Sequence, residues 1–220
     1  VTGQDGSYLA ELLAAKGYRV CGLTRDIFAA QISLDVCIQQ KIELIQWDYN
    51  DSLDELLLKI KPTEIYNFAG YSSGQGMYDE PIMMGELNGL FVTKILQSIS
   101  SVSPKTRFCQ ASSSEVFGMV STTPQKETTP RNPRSPYGAA KQYADSMVNI
   151  YRQNYGVFAA SAILFNHESV RRSTSFISRK ISSTVAKIKL GKDDKLILGN
   201  LDAQRDWGFA GDYVNAMHLM

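Results

Sequence analysis

Tyr137 and Lys141 stand four residues apart in Ser135-Pro136-Tyr137-Gly138-Ala139-Ala140-Lys141, a run that reads as the start of a helix, so both side chains project from one face. A lysine ammonium beside a phenol lowers the phenol's pKa. Such a pair is a general base that takes a proton from a sugar or alcohol hydroxyl while hydride leaves the same carbon for a nicotinamide. Tyrosine and lysine at this spacing also occur on plain helix surfaces, so the surroundings decide. Upstream, Ala111-Ser112-Ser113-Ser114-Glu115-Val116-Phe117-Gly118 closes a strand-like run. It brings hydroxyls and a carboxylate to the carboxyl edge of a sheet, where ligands bind in open α/β folds.

A second constellation opens the chain. Gly3-Gln4-Asp5-Gly6 before a helix suits a dinucleotide: glycine lets the backbone approach a pyrophosphate, and the helix start offers N–H groups and a positive dipole end. Glycines at this spacing also arise for structural reasons alone. The next strand ends Leu23-Thr24-Arg25-Asp26. A site for NAD usually places a carboxylate there to receive the ribose 2′-hydroxyl. Thr24 takes that place and Arg25 can pair with a 2′-phosphate, which favours NADP; Asp26 opposes it, and Arg25 also reads as an ordinary surface charge.

These residues need elements to hold them. Helical spacing runs from Tyr8 to Gly17, with Gly17 as the residue that ends the helix, and recurs over Leu53–Ile60, Leu87–Ile99 and Tyr137–Tyr155. Strand-length apolar runs lie at Arg19–Leu23, Ile42–Trp47, Ile65–Ala69, Phe108–Ser112 and Phe158–Phe165. The alternation predicts α/β architecture: a doubly wound, Rossmann-like parallel sheet with helices on both faces. Residues 1–164 are expected to form a nucleotide-binding domain and 165–220 part of a substrate-binding region. Only Val1 and Thr2 precede the glycine turn, so its leading strand is expected to be missing, and the apolar pattern from Tyr213 to Met220 is expected to stop in mid-helix.

Composition narrows the class. The chain has 220 residues, 44% hydrophobic and 20% charged, with net charge +1, the profile of a soluble globular protein without a large field for nucleic acid or a membrane surface. No apolar run reaches bilayer length and no signal segment is apparent, which points to the cytoplasm. Cys21, Cys37 and Cys109 read as small buried hydrophobes in a reducing compartment. His167 and His218 are too few and too far apart for a metal site, so no metal is expected. The basic residues Arg171, Arg172, Arg179, Lys180, Lys187 and Lys189, with Asp193 and Asp194 beside them, read as a diphosphate pocket plus a solvated face. Trp207 reads as a packing anchor more readily than as a stacking platform.

The order of glycine turn, Ser-Ser-Glu stretch and Tyr-x-x-x-Lys pair resembles extended short-chain dehydrogenases that modify nucleotide sugars. Longer segments narrow the resemblance. Leu164-Phe165-Asn166-His167-Glu168-Ser169 with Arg171-Arg172, then Arg179-Lys180, then Gly199-Asn200-Leu201-Asp202-Ala203-Gln204-Arg205-Asp206-Trp207-Gly208 resemble the GDP-mannose 4,6-dehydratases over nearly the whole chain. The resemblance implies a lyase with internally recycled NADP. Tyr137 removes the C4 hydroxyl proton, Lys141 holds the cofactor ribose and tunes the tyrosine, Glu115 abstracts the C5 proton and assists loss of the C6 hydroxyl, and Ser113, usually threonine, donates to the C4 oxygen. It implies that Gly3, Gln4, Asp5, Gly6, Arg25, Asp48, Phe68, Ala69 and Gly70 contact the cofactor. Asn166, Lys180 and Arg205 face the GDP-sugar, and full-length chains assemble as dimers or tetramers.

Two segments depart from the family pattern. Tyr71-Ser72-Ser73-Gly74-Gln75-Gly76-Met77 replaces a Ser-His-Val or Ser-Phe-Val run, so the sugar side of the pocket is expected to be reshaped. Arg25 to Ala30 replaces an arginine- and serine-rich stretch that bears on cofactor grip and tetramer contacts. Two other readings remain open at this point: a 4-epimerase or reductase, which needs Tyr137 and Lys141 but not Glu115, and a non-catalytic nucleotide-binding fragment.

Overall fold

The structure, a computed structural model, describes residues 1–71 and 78–220. In chain order the elements are α1 (Gln4–Ala15), β1 (Val20–Thr24), α2 (Ile27–Ser33), α3 (Val36–Gln39), β2 (Ile42–Gln46), α4 (Leu53–Ile60) and β3 (Glu64–Asn67). Then come α5 (Pro81–Gly85), a π-helical turn (Glu86–Leu90), α6 (Phe91–Val102), β4 (Arg107–Ala111), a 3-10 turn (Ser114–Val116), α7 (Pro136–Asn154) and β5 (Ala159–Ala162). The last are β6 (Asn166–Glu168), α8 (Ile177–Lys189), β7 (Trp207–Phe209) and α9 (Ala210–Leu219).

Local chemistry explains the better-defined ends. α1 stops at Gly17, whose φ of 84° only glycine adopts cheaply. The Gly17 amide donates to Ala14 O and the Tyr18 amide to Leu13 O, the paired bonds of a Schellman cap. α4 starts where Ser52 Oγ accepts from the Glu55 amide and stops at Lys61, just before Pro62. α7 opens with Ser135 as its cap and Pro136 in its first turn.

The chain divides into two compact units, Val1–Ile45 with Phe165–Ala216, and Gln46–Leu164 with Met217–Met220. Residues 1–45 group with 165–216. In the first unit β1 pairs with β2, and β6 runs parallel to β7 with Asn166 opposite Trp207. In the second, β3, β4 and β5 form a parallel sheet in that order, joined by helical crossovers. The architecture is α/β with parallel pairing, and among the described residues the ladders divide among three sheets.

The core of the second unit follows from helix periodicity. α6 buries Phe91, Val92, Ile95, Leu96 and Ile99 and leaves Lys94 and Gln97 exposed. α7 buries Ala140, Ala144, Val148 and Tyr151, at steps of four and three, and Phe108 of β4 is also buried. α8 differs: Ile177, Ile181, Val185 and Ile188 lie along one helical stripe, yet none of its residues is buried. No helix among the described residues is long and apolar enough to cross a membrane. Cys109 is buried, which pushes its thiol up to about 11, whereas Cys21 is only half-buried, contrary to expectation, and lies 3.7 Å from Glu43 Oε2. The Cys37 side chain lies outside the described residues.

Ile99 is 0% exposed, so Ile99→Ala is expected to cost about 3 kcal/mol of unfolding free energy. Ile181→Ala, at a position 37% exposed, is expected to stay within about 0.5 kcal/mol of the parent. Urea unfolding read by circular dichroism checks both.

Candidate active site

In the second unit, the ladder between β4 and β5 continues past the strand ends: the Ser112 amide donates to Ala162 O and the Ser114 amide to Leu164 O. Ser113 is thereby held extended, and its Oγ caps the 3-10 turn by accepting from the Glu115 amide at 3.3 Å. The Glu115 side chain is exposed. The first turn of α7 closes on this segment. A methyl group at Gly138 would lie 2.6 Å from the Glu115 carbonyl oxygen, so the absence of a side chain there lets Tyr137's turn meet the backbone that carries Glu115. Ser135 Oγ, accepting from the Gly138 amide at 3.0 Å, fixes where that turn begins.

One helical turn beyond Tyr137, the Lys141 ammonium is buried. Its Nζ donates to Ala111 O at 2.8 Å and lies 5.6 Å from the centroid of the Tyr137 ring. Burial pulls its pKa down to about 8, against the opposing charge of Asp145. A buried polar chain reaches the same carbonyl from β3. The Ala69 amide donates to Asn67 Oδ1, Asn67 Nδ2 to Gln110 Oε1, and Gln110 Nε2 to Ala111 O. Ala69 and Gly70, expected to line the cofactor, are thus tied to the acceptor that holds Lys141. A methyl group at Gly70 would collide with Asn88 Oδ1 and lie 3.9 Å from Lys141 Nζ. Asn88 sits in the π-helical turn, where its Nδ2 reaches Tyr71 O and Met84 O and its buried Oδ1 has no hydrogen-bond partner among the described residues.

Asp48, after β2, spends its Oδ1 on the amide and side chain of Asn50. Phe68 packs beside Cys109, Ala111 and Ala162. Residues 72–77, where a reshaped sugar pocket is expected, lie outside the described residues.

The first unit holds the glycine turn. Gly3 caps α1 with no side-chain bond, and a methyl group there would meet nothing within 4 Å. The side chains of Gln4 and Asp5 are occupied elsewhere. Gln4 Nε2 donates to His167 O and Gln4 Oε1 accepts from Ser169 Oγ, while Asp5 Oδ2 lies 2.9 Å from His167 Nε2. His167 Nδ1 faces Phe165 O at 2.7 Å, and its ring stacks on Tyr213. With acceptors at both nitrogens, the imidazolium form satisfies the ring. Burial works against the charge, but the Asp5 carboxylate outweighs it and the His167 pKa is raised. His167 lies in the middle of β6, and its tie to Asp5, 162 residues away in sequence, was not foreseen.

Asp26, which opposes NADP on sequence grounds, caps α2 by accepting from the Ala29 amide at 3.0 Å; Arg25 is exposed beside it. Asn166 begins β6 opposite Trp207, two residues after the exposed Arg205, and Lys180 is exposed on α8. Trp207 is 48% exposed, so it is not the packing anchor expected. Arg171 and Arg172 serve the fold: the first pairs with Glu11 and lies over Tyr8, the second pairs with Glu168 and lies over Phe176.

A family model described as GDP-mannose 4,6 dehydratase matches residues 1–220. The chain belongs to the GDP-mannose 4,6-dehydratase family. It is 43% identical over 233 residues to the GDP-mannose 4,6 dehydratase of Dictyostelium discoideum, covering 100% of this chain and 65% of that protein. To the human GDP-mannose 4,6 dehydratase it is 44% identical over 232 residues, covering 100% and 62%. The chain therefore spans less than two thirds of the length of these family members. Among solved structures, a UDP-N-acetylglucosamine 4-epimerase from Methanobrevibacter ruminantium superposes with a TM-score of 0.84 at 22% identity, over 99% of this chain and 69% of that one. A dTDP-glucose 4,6-dehydratase from Streptomyces venezuelae, crystallised with NAD, gives 0.82 at 21% identity, over 99% and 69%. The family fold is the Rossmann-like one expected from the sequence.

The Asp5–His167 pair has a defined pH signature. A raised imidazole pKa contributes stability that is fully present below the unfolded value and is lost as pH rises through the folded one. Asp5→Asn is expected to lower the His167 titration midpoint, read by NMR, and to cost about 2 kcal/mol at about pH 5.5 but little at about pH 9.

Proposed function

We propose that the protein is an NADP-dependent GDP-mannose 4,6-dehydratase, a lyase acting on a GDP-hexose, assembled from full-length chains as a dimer or tetramer. The observation that carries this reading is the closure of Tyr137's helical turn on the backbone of Glu115, with Lys141 buried one turn on. It supplies two bases of different character within one unit. Family membership supports the substrate class.

A bound nicotinamide dinucleotide supplies the hydride acceptor and returns the hydride. The residues for it fit: the open cap at Gly3, the backbone of Ala69 and Gly70 beside Lys141, and Asp48 after β2. Thr24, where an NAD site usually has a carboxylate, and the exposed Arg25 after it support NADP. Tyr137 takes the C4 hydroxyl proton, favoured as phenolate by the Lys141 ammonium. Ser113 donates to the C4 oxygen. Glu115 removes the C5 proton, acidified by the neighbouring ketone, and gives a proton to the C6 hydroxyl as it leaves as water. Asn166, Lys180 and Arg205 meet the GDP-sugar, the cations pairing with diphosphate oxygens. The free thiols of Cys21 and Cys109 suit a cytoplasmic, reducing setting.

In the full-length protein NADP is expected to bind more tightly than NAD, and Arg25→Ala to erase about tenfold of that preference. Titration calorimetry with both cofactors decides; tighter NAD binding by the parent sinks the assignment.

Glu115→Gln keeps shape and removes the base. It is expected to retain cofactor reduction by GDP-mannose while slowing deuterium incorporation at C5 by ~10²-fold or more. Tyr137→Phe is expected to abolish the cofactor absorbance change itself. Formation of the 4-keto-6-deoxy sugar by Glu115→Gln at the parent rate would assign the C5 base elsewhere.

A further inference from the structure

Among the described residues, Lys141 and Asp145 are the only buried members of the lysine, arginine, aspartate and glutamate classes, 5% and 1% exposed. Tyr137, Lys141 and Asp145 follow one another at four-residue steps along α7, so they share one face of the helix. Asp145 is also a junction. Its Oδ2 accepts from Ser112 Oγ at 2.8 Å and from Arg131 Nη1 at 2.7 Å, and its Oδ1 accepts from Ser161 Oγ at 2.7 Å. These donors come from the end of β4, from the segment leading into α7, and from β5. Ser112 is the residue before Ser113, so the bond acts on the backbone that carries the hydroxyl and the carboxylate of the site.

We propose that Asp145 is a positioning residue for the base: a buried carboxylate that keeps the Lys141 ammonium charged and pins the end of β4, with Ser113 and Glu115 beyond it, against α7. The proposal rests on the dehydratase reading for its catalytic meaning, though not for its electrostatics. A lone ammonium in this environment favours the neutral amine, and burial does lower the Lys141 pKa. The charge of Asp145 opposes that fall. Other groups are weaker candidates for the task. Of the elements packed on α7, the π-helical turn carries Glu86, α6 carries Lys94 and the 3-10 turn carries Glu115, all exposed, while α5 and β5 carry no charged side chain. Tyr137 faces Lys141 from α7 itself, and Ala111 offers only a carbonyl. Arg131 partly neutralises Asp145 and so limits how far the carboxylate supports the lysine.

That last relation gives the test two arms of opposite sign. Full-length protein labelled with [13Cε]lysine is titrated by NMR between about pH 6 and about pH 10, the Lys141 resonance being assigned by its loss in Lys141→Arg. Asp145→Asn, which keeps the shape and one acceptor oxygen but removes the charge, is expected to lower the Lys141 midpoint by about one pH unit. Arg131→Met is expected to raise it, and Asp145→Glu to hold it near the parent value. The alkaline limb of the pH–rate profile for GDP-mannose turnover is expected to follow the same order. Should Asp145→Asn fail to fold, the rise in Arg131→Met still decides. An Lys141 midpoint unmoved in Asp145→Asn or in Arg131→Met overturns the proposal, even where activity falls, because packing alone would then account for the residue. Midpoints that move as expected in a protein with no dehydratase activity leave the electrostatic role standing and refute the dehydratase reading instead.

Discussion

An ammonium withdrawn from water needs acceptors and a counter-charge, and the arrangement of the second unit can be derived from that need at Lys141. Its hydrogen bond to Ala111 O requires β4 to end where it does, and the parallel pairing of Phe108 to Ala111 with Ala159 to Ala162 sets that end. The same carbonyl takes a bond from Gln110, which reaches Asn67 on the other side of β4 and, through it, the Ala69 amide. One oxygen therefore registers three strands, the turn after β3 and α7. A hydrogen bond to a charged group contributes about 1.5–3 kcal/mol. The strand end is thus held by more than its ladder bonds.

The two bases proposed above stand in contrasting surroundings although their backbones approach closely. Lys141, behind Tyr137, is buried and its charge state is sensitive to nearby carboxylates; Glu115 is exposed on a 3-10 turn. A phenol must be pushed toward its anion to act near neutral pH, which needs a close, desolvated cation. A carboxylate is already anionic there and needs only placement. The fold provides burial on the α7 side and a short capped turn on the β4 side, and Gly138 removes the side chain that would keep them apart.

How much of this was legible depends on distance along the chain. The helix Leu53–Ile60 was readable to the residue, since its capping serine, its amphipathic pattern and the following proline are all local. Tyr137, Lys141, Ser113 and Glu115 drew notice because each lies in a short run of chemistry-bearing residue types, and the roles expected of them came from the family resemblance. Asn67, Gln110 and Asn88 were not, because their partners depend on register: Asn67 and Gln110 are 43 residues apart and meet only when β3 pairs with β4. Helix α8 was hidden by charge. Its apolar stripe has helical spacing, but lysines and arginines interleave it, and the stretch read as a solvated basic face. The run from Phe158 to Phe165 read as one strand, whereas β5 ends at Ala162 and β6 starts at Asn166, each only a few residues long.

Within each unit, one buried cation adjoins residues assigned to chemistry, and the two are perturbed in opposite directions. His167 is raised because Asp5 outweighs its burial; Lys141 is lowered to about 8 because burial outweighs Asp145. The difference follows from hydrogen bonding. Both nitrogens of His167 face acceptors, so the charged ring satisfies every bond it makes, whereas the Lys141 ammonium donates to a backbone carbonyl and the nearby Asp145 carboxylate is paired with Arg131. A histidine shifted up and a lysine shifted down approach one another on the pH scale. The first governs how firmly the glycine turn is tied to the segment after β5, and the second governs the phenol beside it. A rise in pH therefore weakens the charged form of each support by its own route: His167 loses the charge that Asp5 favours, and Lys141 loses the charge that its burial already disfavours.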